Sequence, residues 1–191
     1  MVDVHLPLES QKRLIEIARQ TLESVVRHRS RQTVLGDDSY LQQASYGAFV
    51  SLFKHDELRG CIGTCTPSQS LRDTVVEMTE AAATRDPRVK PVRADELDGI
   101  HIDISVLSGL AKTTEPLSLA VGRHGLHIAH GGKRAVFLPQ VAVEHEWDML
   151  TFLEQTCVKA DLPKDAWSWP DTVVSSFTTL IINEATSRPG Y

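Results

Sequence analysis

Tyr46-Gly47-Ala48-Phe49-Val50-Ser51-Leu52-Phe53-Lys54 runs into His55-Asp56-Glu57 and then into Leu58-Arg59-Gly60-Cys61-Ile62. The first run is rich in aromatic and β-favouring residues, the polar triplet reads as a hairpin turn, and the second run reads as the returning strand. A hairpin at this point makes the fold turn on antiparallel pairing.

On the amino-terminal side, Leu14, Ile17, Ala18, Thr21, Leu22 and Val25 recur at helical spacing between about Ser10 and His28, so a helix there presents one apolar stripe for docking. Residues 29–45 are polar and mixed, with a turn at Gly36-Asp37-Asp38. On the other side, a helix from about Gln69 to Thr84 places Leu71, Val75, Met78 and Ala82 together, with Ser68 as the expected cap and Asp86-Pro87 as the stop. Ile100, Ile102, Ile104 and Val106 alternate with His101, Asp103, Ser105 and Leu107, a strand pattern whose first face points to the core.

Farther out, Gly131-Gly132 between Leu126–Ala129 and Arg134–Leu138 predicts a tight hairpin, because paired glycines accept positive φ. A helix over Trp147–Ala160 buries Met149, Leu150, Phe152, Leu153 and Cys157, and a strand over Val173–Glu184 closes the chain before the loose tail Ser187-Arg188-Pro189-Gly190. The order contains no repeated βα unit. The expected class is therefore α+β, a mainly antiparallel sheet with packed helices and a larger and a smaller subdomain. One domain is expected over 10–184, divided near 85–96 where Pro87, Pro91 and alternating charges interrupt the hydrophobic spacing, with terminal segments 1–9 and 185–191.

Composition narrows the function. Of 191 residues, 41% are hydrophobic and 24% charged, the balance of an ordinary globular chain. Apolar runs fall far short of the ~20 residues that span a bilayer, and the first ten residues lack a secretory pattern, so a cytoplasmic location is expected, away from membranes. Twenty basic against twenty-five acidic residues give a net charge of −5 with no long basic stripe, so direct nucleic-acid binding is not expected. Three cysteines, Cys61, Cys65 and Cys157, read as reduced thiols.

Leu58-Arg59-Gly60-Cys61-Ile62-Gly63-Thr64 is close to the LRGCIGT signature of the AMMECR1 domain family. Further matches follow along the chain: Ala81-Ala82-Ala83 leading to Asp86-Pro87-Arg88, then Glu96-Leu97, Ile104-Ser105-Val106-Leu107, Gly122-Arg123-His124-Gly125-Leu126, Leu138-Pro139-Gln140-Val141-Ala142, and Trp147-Asp148 with Phe152-Leu153. The resemblance implies a mixed α+β architecture in two subdomains and an undefined biochemical activity. It also implies a place beside Memo-like and radical-SAM proteins, as the A component of AmmeMemoRadiSam systems. Two departures stand out: Asp103 occupies a position where many relatives carry glutamate, and Ser108-Gly109-Leu110 replaces a proline-containing segment.

The candidate catalytic pair is Cys61 as nucleophile and His124 as its base, since a neutral imidazole can take a thiol proton. Arg59, Gly60, Asp103, Gln140, Glu144 and Trp147 are the candidate ligand-binding residues. Arg59 would stabilise a thiolate or an anionic ligand, Gly60 would admit close backbone approach, Asp103 would orient His124 or accept a proton, Gln140 would orient a polar group, and Glu144 with Trp147 would form the rim. Each has a packing alternative: Cys61 as a small strand residue, His124 as a satisfied turn residue, Trp147 as core. No metal site is expected, because Cys61 and Cys65 lack the spacing of a zinc or iron-sulfur motif, and no cofactor is expected, because no dinucleotide or phosphate-loop fingerprint is present. Three readings stay open: a groove around Arg59, Cys61, His124 and Gln140 that binds a metabolite or partner, a cysteine-dependent enzyme acting on an electrophile, and an interaction scaffold anchored by Trp167 or Trp169.

Overall fold

A computed structural model describes residues 3–29, 38–55 and 57–184. In chain order the helices and strands are α1 (Leu8–Val26), β1 (Gly47–Lys54), β2 (Glu57–Thr64), α2 (Leu71–Thr84), β3 (Ile100–Leu107), β4 (Ala111–Lys112), β5 (Gly125–His130), β6 (Lys133–Phe137), α3 (Pro139–Glu144), α4 (Met149–Lys159), β7 (Val173–Phe177) and β8 (Thr179–Asn183). The mixed α+β class expected from the alternating periods is the observed one, built as two four-stranded sheets ordered β2-β1-β3-β8 and β4-β7-β5-β6.

The chain forms two compact units. One comprises His5–Leu107 and the chain from Leu180 onward, and the other comprises Ser108–Thr179 and the first residues. The chain passes between them after Val4, after Leu107 and after Thr179. The division expected near 85–96 does not coincide with these points: that segment lies inside the first unit, where Val92 N–H donates to Ala83 O at 2.8 Å and a 3-10 turn covers Ala94–Gly99.

In the first unit, β1 pairs antiparallel with β2 and with β3. Alternation sends Ala48, Val50, Leu52, Ile100, Ile102 and Ile104 to one face, where all are buried. Leu14, Ile17, Ala18 and Leu22 of α1 and Leu71, Val75 and Ala82 of α2 supply further buried residues of this unit, as their helical spacing predicts. A methyl added at Gly60 would stand 2.2 Å from the backbone oxygen of Ala82, so the bare glycine and the small alanines together let β2 and α2 approach backbone to backbone. A charged clamp adds to this. Arg19 on α1 donates to both Glu184 oxygens and to Ile100 O, while Glu184 accepts from Ile102 N–H at 3.1 Å.

The second unit packs Leu126, Ile128, Phe152, Leu153, Cys157 and Val174 in its core, with Phe137, Trp147, Trp167 and Trp169 against it. Its β5–β6 hairpin turns at Gly131-Gly132, with Gly131 at φ +58°, and pairs His130 with Lys133 as the paired glycines require.

Several local readings are corrected. The cap of α2 is Ser70, whose hydroxyl accepts from Asp73 N–H at 3.1 Å, rather than Ser68, because the helix begins at Leu71. The expected strand 173–184 is two strands: Thr178 interrupts it, β7 enters the second sheet and β8 the first. Thr178 N–H donates to Ser108 Oγ and Ser108 N–H to Thr178 O, both at 3.0 Å, so the chain beyond β3 is tied to the chain between β7 and β8. Pro139–Glu144 is a short helix that proline at its first position starts. Gly36, Asp37, Asp56 and the tail Ser187–Gly190 lie outside the described residues.

Candidate functional site

Two strand ladders bring the candidate chemistry of the first unit into line. Cys61 on β2 stands opposite Ser51 on β1, and Ser51 stands opposite Asp103 on β3. Directly opposed residues share a face, so the thiol, hydroxyl and carboxyl form one row across three strands, on the side away from Val50, Leu52 and Ile102. The neighbouring rows are Gly63, Phe49 and Ser105 on one flank and Phe53 with His101 on the other, the last two rings stacked at 5.2 Å. Gly63 is required there because its Cα lies beneath the Phe49 ring.

Within the row, Ser51 Oγ donates to Cys61 Sγ at 3.2 Å, and Cys61 is half-buried. Asp103 is half-buried too, and its Oδ1 is buried with no hydrogen-bond partner among the described residues. Burial pushes its carboxyl above the usual range, His101 opposes that shift, and Glu184 adds to it. An unsatisfied carboxyl oxygen costs stability, and such groups concentrate where a ligand completes the bonding.

The edge of β2 is closed by two side chains. Cys61 N–H donates to Asp86 Oδ2 at 2.8 Å, and Arg88 Nη2 donates to Cys61 O at 2.8 Å. Arg88 is itself locked on Asp86, Nε to Oδ1 at 2.9 Å and Nη2 to Oδ2 at 2.7 Å. The fork thus replaces a missing strand at this residue and leaves no open backbone pair. The Arg88 hydrogen bond holds the Asp86 carboxyl far below the usual range, helped by the backbone bonds from Cys61 and Arg88 and opposed by burial.

Arg59 occupies a different position from the one its neighbourhood in sequence suggests. Its guanidinium grips Glu96 at 3.0 and 2.9 Å and donates to Lys90 O at 2.6 Å and Pro91 O at 3.0 Å. This strap holds segment 90–96 to β2, and the Arg59 bond draws the Glu96 carboxyl down to about 2. The cation that reaches Cys61 is Arg88.

The other candidates lie in the second unit. His124 Nδ1 accepts from Ala120 N–H at 2.9 Å across a turn that Gly122 permits at φ +81°. That bond assigns the neutral ring its proton at Nε2, so acting as a base requires Ala120 to be released. Gln140 Oε1 on α3 is buried with no partner among the described residues, whereas Glu144 is exposed. Trp147 packs in an aromatic cluster, 5.8 Å from Phe137 and 4.6 Å from a stacked His145. Cys157 is wholly buried and its thiol is pushed up by burial, which fits its expected packing role. Among the described residues, no group of three or more His, Cys, Asp or Glu side chains is arranged to hold a metal ion.

The sequence profile of the AMMECR1 family matches residues 15–182. The chain belongs to the AMMECR1 family. It is 37% identical over 189 residues to a protein of Methanothermobacter thermautotrophicus, covering 94% of this chain and 96% of that one. It is 38% identical over 185 residues to Protein TK0174 of Thermococcus kodakarensis, covering 92% and 90%. The crystal structure of the uncharacterized protein PH0010 from Pyrococcus horikoshii is similar at a TM-score of 0.83 and 33% identity, covering 91% of this chain and 90% of that chain.

In this AMMECR1 domain, the separated motifs explain one another: Gly60 needs the small residues of α2, Cys61 needs Asp86 and Arg88, and Arg59 needs Glu96. Sequence reasoning missed Ser51 and Arg88 as site residues. Ser51 carried a usable signal, a lone hydroxyl on the alternate face of an apolar strand. Arg88 carried a weaker one, an Asp-Pro-Arg turn that ends a helix with opposite charges two residues apart.

Proposed function

We propose that the protein binds a small polar molecule on the half-buried face of its first sheet that carries the row, with Cys61, Ser51 and Asp103 as contacts. The observation that carries this reading is the row itself, in which a half-buried carboxyl presents a buried oxygen without a partner beside a hydrogen-bonded thiol. A ligand N–H or O–H donated to Asp103 would supply the missing bond, and Phe49 and Phe53 on the flanking rows would offer apolar contact. Through its family resemblance the protein would act beside Memo-like and radical-SAM partners. His124, Gln140, Glu144 and Trp147 belong to this proposal as residues of a second contact region, tested separately from the row.

A second reading, cysteine-dependent chemistry, is favoured by one feature, the hydroxyl bonded to the thiol. In that reading Cys61 adds to a carbonyl carbon, the C–S bond forming as the C=O π pair moves to oxygen, and the thiol proton passes to Asp103 or to the base suggested by the sequence, His124. The two readings separate by experiment. Small molecules retained by the purified wild type are detected by native mass spectrometry and compared with Asp103→Asn and Cys61→Ser. Loss of a bound species in Asp103→Asn supports the binding site, and retention of the same species in both variants sinks it. Cys61 alkylation rates across pH, with and without His124→Ala, decide the second reading: a rate profile unchanged by His124→Ala removes that residue as the base.

A further inference from the structure

Arg88 has more donors than its partners use. Nε and Nη2 are committed to Asp86 and to Cys61 O, while among the described residues Nη1 donates to nothing. Its side chain is 59% exposed, whereas the side chain of Asp86 that locks it is 1% exposed. The guanidinium is therefore fixed in orientation by a buried carboxylate and offers its remaining edge outward. Its bond to the Cys61 carbonyl places it beside the residue that carries the thiol, and Arg88 is held more basic than usual by its bond to Asp86 first, against the opposing effect of burial.

Arg88 has cationic neighbours in sequence. Segment 85–93 carries Arg85, Arg88, Lys90 and Arg93 against Asp86, and of these cations Arg93 is paired with Asp95 just beyond the segment. Arg85, Lys90 and Arg93 are exposed, and all four cations belong to the unit that holds the thiol. A small-molecule carboxylate matches the planar donor edge of a guanidinium better than a solvated point charge does.

We infer that Arg88 makes the Cys61 row a subsite for small organic carboxylates, with the carboxylate on the guanidinium edge and the adjoining carbon at the thiol. This rests on the proposed binding face and names the class of molecule it takes. Arg59, spent on Glu96 and two carbonyls, has no part in it.

Iodoacetate and iodoacetamide are the test, since they deliver the same methylene carbon with and without a carboxylate. In each, the Cys61 thiolate sulfur attacks that carbon, the C–S bond forms as the C–I bond breaks, iodide leaves with the electron pair, and the thiol proton passes to buffer. Peptide mass spectrometry follows Cys61 apart from Cys65 and Cys157. The ratio of iodoacetate to iodoacetamide rates should exceed that of a free cysteine peptide by about tenfold, the factor a single charge-assisted hydrogen bond supplies. Arg88→Gln should return the ratio to the peptide value.

Because Arg88→Gln leaves Asp86 buried without its partner, Asp86→Asn/Arg88→Gln removes both charges and keeps the comparison fair. Acetate provides a measurement on the unaltered protein: it should slow iodoacetamide labelling of Cys61, and acetamide should not. A Cys61 that labels with the peptide's ratio, or whose raised ratio survives both variants, overturns the carboxylate subsite and leaves the binding face standing. A Cys61 inert to both reagents in the folded protein overturns the binding face and the subsite together.

Discussion

The two units stabilise their sheets by different means. The first, His5–Leu107 with the residues after Thr179, relies on charged clamps: Arg19 on Glu184, Arg59 on Glu96, Arg88 on Asp86. The second, Ser108–Thr179, relies on rings, with Phe137 among Trp147, Phe152 and the Lys159 ammonium, which sits 4.1 Å from the Phe137 centroid. Charge clamps are directional and titrate, while aromatic packing is neither. The unit that carries the thiol is thus the one whose charge clamps are drawn into its interior, and it should answer to acid and to single charge deletions more strongly than the other, whose lowered carboxylates Asp148 and Asp161 are exposed.

The largest effect is expected at Arg19–Glu184. Removing one partner of a buried pair leaves the other charge without compensation, so Arg19→Met should cost about 3–5 kcal/mol in urea unfolding. Arg19 and Glu184 side chains are 16% and 5% exposed, which places this pair in the buried regime. A loss below about 1 kcal/mol, the size of an exposed ion pair, would break the contrast between the units. Gly60→Ala comes next. Its methyl would meet a backbone oxygen at 2.2 Å, which cannot rotate away, so about 3 kcal/mol is expected, against a near-neutral Gly109→Ala, whose methyl would meet nothing within 4 Å.

Acid should separate the units more finely. Glu96 and Asp86 titrate below their unfolded values, so the stability they contribute is fully present above about pH 4.5 and is lost as pH falls toward 2 and beyond. Amide exchange between pH 5 and 3 should therefore rise first in β2 and segment 85–96, and Glu96→Gln should flatten part of that dependence, by about 2 kcal/mol. Equal loss of protection in β5 and β6 over the same range would place the acid-sensitive groups elsewhere.

What the sequence made legible was periodic. The alternation of Ile100 to Leu107, the helical stripe from Leu14 to Leu22 and the glycine pair at 131–132 each depend on near neighbours, and each appears in the fold. The paired roles of the motifs were not legible, because Gly60 with Ala82, or Cys61 with Asp86 and Arg88, meet only after the chain has returned from a helix. The same limit explains why Arg59 reads from its neighbours as a thiol partner yet bonds Glu96, and why one apolar run, 173–184, serves two sheets: nothing local marks Thr178 as the point of exchange. Trp147 could not be assigned between rim and core by sequence, since a tryptophan suits both, and the structure places it among rings.

The smallest effect bears most directly on the row. Asp103 is the exception within the charge-clamped unit, a carboxyl with no ion-pair partner among the described residues and an unsatisfied oxygen, its upward shift opposed by His101. Its folded value is raised above the unfolded one, so the desolvation cost is absent below the unfolded value, grows as pH rises from there to the folded value and is complete above it. Asp103→Asn removes the ionisation and should leave the fold more stable at pH 7 by roughly 1 kcal/mol, with the gain vanishing at pH 3, where both side chains are neutral. Unfolding of both proteins at the two pH values reads this directly. A gain at pH 7 coupled to loss of bound small molecule would mark Asp103 as a residue kept for binding at the expense of stability. A loss at pH 7 would mean the carboxylate is compensated in the folded protein, and the row would then be a structural feature like the clamps around it.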